Sequence, residues 1–273
     1  PRWRGRAILS GAMSHQPRKR FGQHFLHDPG VIRRIVAAIA PQAGARLVEI
    51  GPGEGAITFE LLRAAGRLDA VELDRDLVEP LRERGRSVGE LVVHGADALR
   101  FDFCALAKEG ERLRLVGNLP YNVSTPLLFH LLDQARCIRD MHFMLQKEVV
   151  ERMAAEPGGR DYGRLSVMLQ ARCEVIPLFT IGPGAFRPPP KVDSAVVRLI
   201  PLAPPPDIAD QGVFARLVSA AFAQRRKTLR NGLKRLLTAQ QISALGIDPG
   251  IRAEQLPLAD FVRLANAACN TGP

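Results

Sequence analysis

Acidic residues are missing from two long stretches of this 273-residue chain, cysteines are few, and no apolar run approaches a membrane span. A spanning helix needs about 20 consecutive apolar residues, and no charged segment leads into an apolar core and small-residue cleavage site. The expectation is a cytoplasmic protein with no membrane attachment. The four cysteines (Cys104, Cys137, Cys173, Cys269) lie far apart in no metal-like pairing. That argues against a zinc site or disulfide framework and for buried thiols, and no metal is expected. With 46% hydrophobic and 24% charged residues the composition is globular, and the length allows one large or two smaller domains.

The missing acids give the net charge of +10 a location. Residues 1–27 carry Arg2, Arg4, Arg6, Arg18, Lys19 and Arg20, and residues 211–247 carry Arg216, Arg225, Arg226, Lys227, Arg230, Lys234 and Arg235, with no acid in either stretch. Without these thirteen bases the remainder is close to neutral. Positive charge gathered in two places suits a polyanion and would make binding salt-dependent. A solvated helix face and a basic tail are the plainer reading of the same residues.

Residues 1–17 read as a basic flexible tail, of which 1–12, ahead of Met13, are an extension without structural role. From Arg46 onward, β-rich runs alternate with amphipathic stretches: Leu47–Ile50, Leu68–Leu73, Leu91–His94, Leu113–Val116 and Met141–Leu145. Such alternation implies βαβ units and a parallel sheet. Val175–Phe179 and Ala195–Ile200, separated by a Pro-rich loop, read as a closing hairpin at the sheet edge. The expected fold is therefore α/β, with a seven-stranded, mostly parallel sheet in residues 18–204. After Pro201–Pro206 only helical patterns remain (Val213–Ala223, Thr228–Leu237, Leu258–Ala268), giving a small α-helical domain over 205–273. In Thr228–Leu237 a stripe of Leu229, Leu233 and Leu236 packs, while Arg226, Arg230 and Lys234 recur every fourth residue on another face.

The loop Val48-Glu49-Ile50-Gly51-Pro52-Gly53-Glu54-Gly55 joins the first strand to the first helix of the sheet, where open α/β sheets bind nucleotides. Gly51 allows close backbone approach. Glu72, about 20 residues on, ends the second strand and can accept from both ribose hydroxyls. Asp97, after the third strand, can accept from an adenine amine, or can simply sit in a turn or cap a helix. Gly51-x-Gly53-x-x-Ala56 equally satisfies the dinucleotide fingerprint of dehydrogenases.

Gly117-Asn118-Leu119-Pro120-Tyr121-Asn122, after the fourth strand, matches a narrower chemical problem. An exocyclic adenine amine is a poor nucleophile because its lone pair is delocalised into the ring. If the Asn118 side-chain oxygen and the Leu119 carbonyl each accept one N–H, the nitrogen is pushed towards a tetrahedral shape with its lone pair aimed at a methyl donor. Pro120 fixes the turn that presents the carbonyl, and Tyr121 stacks on a base taken out of its own stack. Catalysis is then mainly in-line positioning.

With Arg20-Phe21-Gly22-Gln23-His24-Phe25-Leu26, Glu72-Leu73-Asp74, Gly117 to Ser124, Leu145-Gln146-Lys147-Glu148 and Phe186 to Ser194, the chain resembles the KsgA family, bacterial 16S ribosomal RNA adenine N6-dimethyltransferases, from about Arg18 to its C-terminus. The resemblance implies a Rossmann-like class I methyltransferase with a small helical domain that contacts RNA. It implies S-adenosylmethionine as the methyl donor and a substrate of 16S rRNA in a pre-30S small subunit. There two adjacent adenosines of a hairpin loop near the 3′ end would each receive two methyls. It further implies that His24 and Leu26 touch the cofactor, Gly51 approaches it by backbone, Glu72 holds the ribose, Asp97 the adenine, and Asn118 lies between cofactor and target amine. Phe186, in Phe186-Arg187-Pro188-Pro189-Pro190-Lys191, would border the target base opposite Tyr121; an ordinary packed Phe is the alternative. Family members often carry Asn where this chain has His24. A monomer is expected.

Three other readings stand beside this one. A nicotinamide dehydrogenase accounts for Gly51 to Ala56 and Glu72 but leaves Asn118 to Tyr121 idle. A sister methyltransferase acting on large-subunit rRNA shares the cofactor chemistry, against which Lys191-Val192-Asp193-Ser194 and the stretch from Gly246 to Ala265 favour the small subunit. A non-enzymatic assembly factor would bind RNA alone.

Overall fold

A computed structural model describes residues 24–224 and 226–269. The basic tail, the motif residues before His24, and Arg225 lie outside the described residues. In chain order the elements are β1 (Phe25–Leu26), α1 (Pro29–Ile39), β2 (Leu47–Ile50), α2 (Thr58–Ala65), β3 (Arg67–Glu72), α3 (Arg75–Gly85), β4 (Glu90–Gly95), β5 (Leu113–Asn118), α4 (Ser124–Asp133) and β6 (Ile138–Gln146). They continue with α5 (Lys147–Ala154), α6 (Arg164–Gln170), β7 (Cys173–Ile181), β8 (Phe186–Arg187), β9 (Ser194–Pro201), α7 (Gln211–Phe222), α8 (Leu229–Gly232), α9 (Ala239–Ala244) and α10 (Leu258–Cys269).

All seven expected strands form one sheet in the order β4-β3-β2-β5-β6-β9-β7. The pairs from β4 to β6 are parallel, whereas β9 runs antiparallel to both β6 and β7. The closing hairpin therefore places its second strand inside its first. Strands covered on both faces must be apolar throughout, and the alternation shows which face each residue serves. Leu47 and Val116 pack towards α1 and α2, while Val48, Ile50 and Leu115 join the core under α4 and α5. Where α1 begins, Asp28 accepts from the Gly30 and Val31 amides and Pro29 opens the helix, so the chain leaves β1 at a fixed angle.

The C-terminal helices have their own core, but it is not theirs alone. Tyr162, Val167 and Ala171, which precede the Pro-rich segment, pack with Phe214, Leu217, Leu256 and Phe261. Tyr162 Oη donates to the Leu256 carbonyl at 3.0 Å and the Gly158 amide to that of Glu254 at 2.7 Å. All the strands precede 204/205, but the core of the C-terminal helices draws residues from before that boundary.

Two expectations need correction. The segment Thr228–Leu237 is helical only over Leu229–Gly232. The amides of Leu229 and Arg230 donate to the carbonyls of Ile251 and Pro249, and Thr228 bridges Arg252, so a distant segment takes over the start of the helix. Asn231-Gly232, poor helix formers, then let the chain turn so that Leu233 and Leu237 enter the core. The second correction concerns cysteine. Cys104 and Cys137 form a disulfide, with Cα atoms 5.5 Å apart, and only Cys173 and Cys269 are free. Gln134 brings the two together: its side-chain oxygen accepts from the Phe103 and Cys104 amides, folding residues 103–106 against 135–137. Buried Cys173 fits its expectation, and burial pushes its thiol up to about 12.

Candidate active site

The strand ends of β2, β3, β4 and β5 open into one cavity of about 390 Å³. Gly51, Glu72, Asp97 and Asn118 line it from the sheet, with Leu119, Pro120 and Tyr121 beyond β5 and His24 and Leu26 from the N-terminal segment. Nine of the ten residues singled out from sequence therefore meet in one place.

The glycine loop is shaped by its neighbours. Gly51 has φ +67° and Gly53 φ +57°, conformations that side chains disfavour, and a Cβ on Gly53 would press on the Phe25 ring at 3.1 Å. The turn aims the Gly53 amide at Glu72 Oε2, 3.1 Å away, while Oε1 accepts from the Asp74 amide at 2.8 Å. Glu72 is thus held at the end of β3 with lone pairs to spare. Burial raises its pKa, opposed by these backbone bonds. Asp97 caps its own turn through the Leu99 amide at 3.0 Å and still lines the cavity.

At the end of β5 the sheet admits only glycine, since a Cβ on Gly117 would lie 2.4 Å from the Ile50 carbonyl oxygen. Asn118 follows, half-buried, its Nδ2 donating to the His24 carbonyl at 3.0 Å. That bond defines which end of the amide is the acceptor: Oδ1 is left without a partner among the described residues. The Leu119 carbonyl accepts no backbone bond among the described residues, although its amide is tied to the Met144 carbonyl. Tyr121 is half-buried, its hydroxyl 2.7 Å from Ser194 Oγ and its ring centroid 5.7 Å from that of His24. Burial raises the phenol pKa against the pull of the Ser194 bond.

Phe186 does not lie where a wall of the base pocket was expected. It is 3% exposed, opposite Leu26 in the β1–β8 ladder, and packs with Ile35, Met144 and Ile181. In this two-residue strand Phe186 points inward and Arg187 outward, so the ring anchors the Pro-rich loop. Among the cavity residues to which the sequence pattern assigned no role, Glu49 stands out. The side chain, in a run read as β-rich, is 1% exposed, and Oε2 has no hydrogen-bond partner among the described residues. Burial pushes its carboxyl up to about 8, the Thr58 hydroxyl opposing and the Glu72 charge adding. A carboxylate in the middle of a buried strand was the available signal.

Arg216, Arg226, Lys227, Arg230, Lys234 and Arg235 are all exposed, and none forms an ion pair with a described residue. Among the described residues no group of His, Cys, Asp and Glu could hold a metal, and no helix is long and apolar enough to cross a membrane.

A parallel sheet closed by an antiparallel hairpin, with a glycine turn and strand-end carboxylate facing a cavity, is the architecture of a class I methyltransferase, whose methyl donor is S-adenosylmethionine. The sequence model described as ribosomal RNA adenine dimethylase matches residues 14–269, and the chain belongs to that family. It is 59% identical over 259 residues to the ribosomal RNA small subunit methyltransferase A of Pseudomonas aeruginosa, covering 94% of this chain and 97% of that protein. A dimethyladenosine transferase from Plasmodium falciparum superimposes with a TM-score of 0.77 at 26% identity, covering 88% of this chain and 96% of that one. The 23S rRNA methyltransferase ErmE follows at 0.69 and 25% identity, covering 90% and 99%.

Proposed function

We propose that this chain methylates the N6 amines of two adjacent adenosines in the hairpin loop near the 3′ end of 16S rRNA, adding two methyls to each. In this reading it acts as a cytoplasmic monomer on a maturing small subunit, contributes to that subunit's biogenesis and uses no metal. The observation that carries the chemistry is the acceptor pair at the end of β5, Asn118 Oδ1 beside the Leu119 carbonyl, with Nδ2 already committed to His24.

The bound cofactor supplies an electrophilic methyl on a sulfonium. Glu72 holds the ribose hydroxyls with the lone pairs its backbone bonds leave free, Asp97 receives the adenine amine, Gly51 lets the backbone come close, and His24 and Leu26 close the cavity from the N-terminal side. Asn118 Oδ1 and the Leu119 carbonyl take the two N–H groups of the target amine, and Tyr121 offers its ring to the base. With both N–H groups held, the amine lone pair is aimed at the methyl that the cofactor would supply, and the proton released on transfer would pass from the nitrogen to water. Fixed acceptors need no reorganisation during this step.

Likeness to ErmE carries the cofactor chemistry but leaves the RNA open; the relative named for the small subunit, at 59% identity, supports the choice made here. The test is to incubate the enzyme with labelled S-adenosylmethionine and unmethylated small subunits, naked small-subunit rRNA or large-subunit rRNA, then map modified adenosines by mass spectrometry. Doubly methylated neighbouring adenosines in the small-subunit arms are expected. Label confined to large-subunit rRNA overturns the assignment.

A further inference from the structure

The sequence motif suggests that His24 touches the cofactor, yet its bonds reach other parts of the site. Its carbonyl accepts from Asn118 Nδ2 at 3.0 Å, its ring Nδ1 lies 2.8 Å from the Pro188 carbonyl oxygen, and its ring meets that of Tyr121 at 5.7 Å and 30°. A carbonyl oxygen only accepts, so Nδ1 carries the hydrogen. On either side the attachment continues: Phe25 and Leu26 pair with Arg187 and Phe186, and the His27 amide donates to the Ala185 carbonyl at 2.9 Å. The far end of the Pro-rich loop returns to the site through Ser194 Oγ and the Tyr121 hydroxyl. Asn118, His24, Pro188, Ser194 and Tyr121 thus belong to a closed circuit running through three separate stretches of chain.

We infer that His24 is a positioning residue: by tying its own carbonyl to the Pro188 loop through its side chain, it keeps the Asn118 amide turned with the oxygen towards the target amine. The orientation matters because a flipped Asn118 would present N–H groups to an amine that itself carries N–H groups. Nothing in Asn118 alone prevents that flip; a fixed acceptor behind Nδ2 does. Asparagine, with its shorter side chain, could still donate to the Pro188 carbonyl but has no ring to set against Tyr121. His24→Ala removes both contacts, and His24→Asn removes one.

This rests on the proposed role of Asn118 and is tested with full-length protein in three measurements. The first is the affinity for S-adenosylhomocysteine by calorimetry. The second is the single-turnover rate of methyl transfer to unmethylated small subunits at saturating cofactor and particle. The third is amide hydrogen exchange of residues 118–123 and 186–194 without ligand. For His24→Ala we expect a rate loss at saturating cofactor on the order of 100-fold, the scale of an ångström-sized misplacement, larger than any loss of cofactor affinity, and faster exchange in both segments. His24→Asn should recover most of the rate. An affinity loss with an unchanged saturated rate makes His24 a cofactor contact only, and parental values in all three make it a surface residue; either result overturns the inference. If the parent itself transfers no methyl to small subunits, the functional reading fails. Hydrogen exchange still decides the tether, because unchanged protection of 118–123 in both variants refutes it.

Discussion

Arg114 and Asp140 face each other across β5 and β6 in a buried pair, Nε to Oδ1 at 2.9 Å and Nη2 to Oδ2 at 3.2 Å. The same guanidinium donates to the carbonyls of Ile39 and Ala40, where α1 ends in a left-handed Ala40. One side chain therefore neutralises a carboxylate in the sheet and satisfies the open end of the helix that follows the N-terminal segment. Removing it leaves two carbonyls without their donor and Asp140 dependent on Arg198, whose Nη2 lies 2.9 Å from Oδ2. Arg114→Ala should lose about 3–5 kcal/mol, the usual cost of breaking a buried pair, read as a fall in urea midpoint. A loss below about 1 kcal/mol, typical of exposed pairs, would mean that solvent replaces the guanidinium.

The same corner makes the fold acid-sensitive. Burial holds the His142 imidazole down to about 4 from 6.5, the Asp140 charge opposing and Arg114 and Arg198 adding. Above pH 6.5 neither folded nor unfolded His142 binds a proton; between 6.5 and 4 only the unfolded chain does, so stability falls as pH falls. For Asp140, burial acts to raise the pKa, but the Arg114 bonds and neighbouring charges win and lower it, so its contribution is also lost on acidification. The sensitivity should be smaller in His142→Gln, measured by urea unfolding at pH 7 and 4.5. Parallel losses in parent and variant would remove His142 from the account.

Glu49 has the opposite sign. Its folded pKa, about 8, lies above the ordinary carboxyl value of 4.5, so the native state holds a proton that the unfolded chain releases as pH rises between the two. Stability attributed to this group is intact at low pH and lost towards pH 8. Glu49→Gln mimics the protonated acid, and in the cofactor-free enzyme it should gain on the order of 5 kcal/mol over the parent at pH 9, from the pKa difference, with little gain at pH 5. Equal melting temperatures at both pH values would show that Glu49 is charged in the fold.

Seven strands were legible because each is a short β-rich run bounded by turn residues, and Asn118 to Tyr121 were legible because chemistry restricts those residue types. What escaped depends on partners far along the chain. The helix expected over Thr228–Leu237 yields to carbonyls of Pro249 and Ile251, which no local pattern reveals. Cys104 and Cys137, 33 residues apart, meet only once Gln134 has folded their loops together. α9 was missed although its capping box, Thr238 with Gln241, stands in the sequence. Phe186 was assigned by its place in a motif, whereas alternation in β8 sends its ring inward.

That inward ring changes what a substitution should do. Phe186→Ala empties a core position beneath the β1–β8 ladder and should destabilise the protein by about 3–5 kcal/mol. A stacking residue would instead leave the urea midpoint unchanged and weaken methyl transfer alone. The midpoint therefore separates the two roles without an RNA substrate.

The basic C-terminal surface makes a prediction in salt. Arg226 and Arg230 are exposed, and Arg230 lies within the single turn of α8 while Arg226 precedes it, so they present two charges from a bend. If both contact phosphate, Arg226→Glu with Arg230→Glu should reduce the slope of log affinity against log salt by about two, one per lost contact. Binding should weaken most at low salt, and S-adenosylhomocysteine affinity should stay within about twofold, because neither residue lines the cavity. Filter binding to small-subunit rRNA across a salt series measures the slope. A parallel downward shift with no change in slope would assign the loss to a disturbed fold and take these two bases out of the footprint.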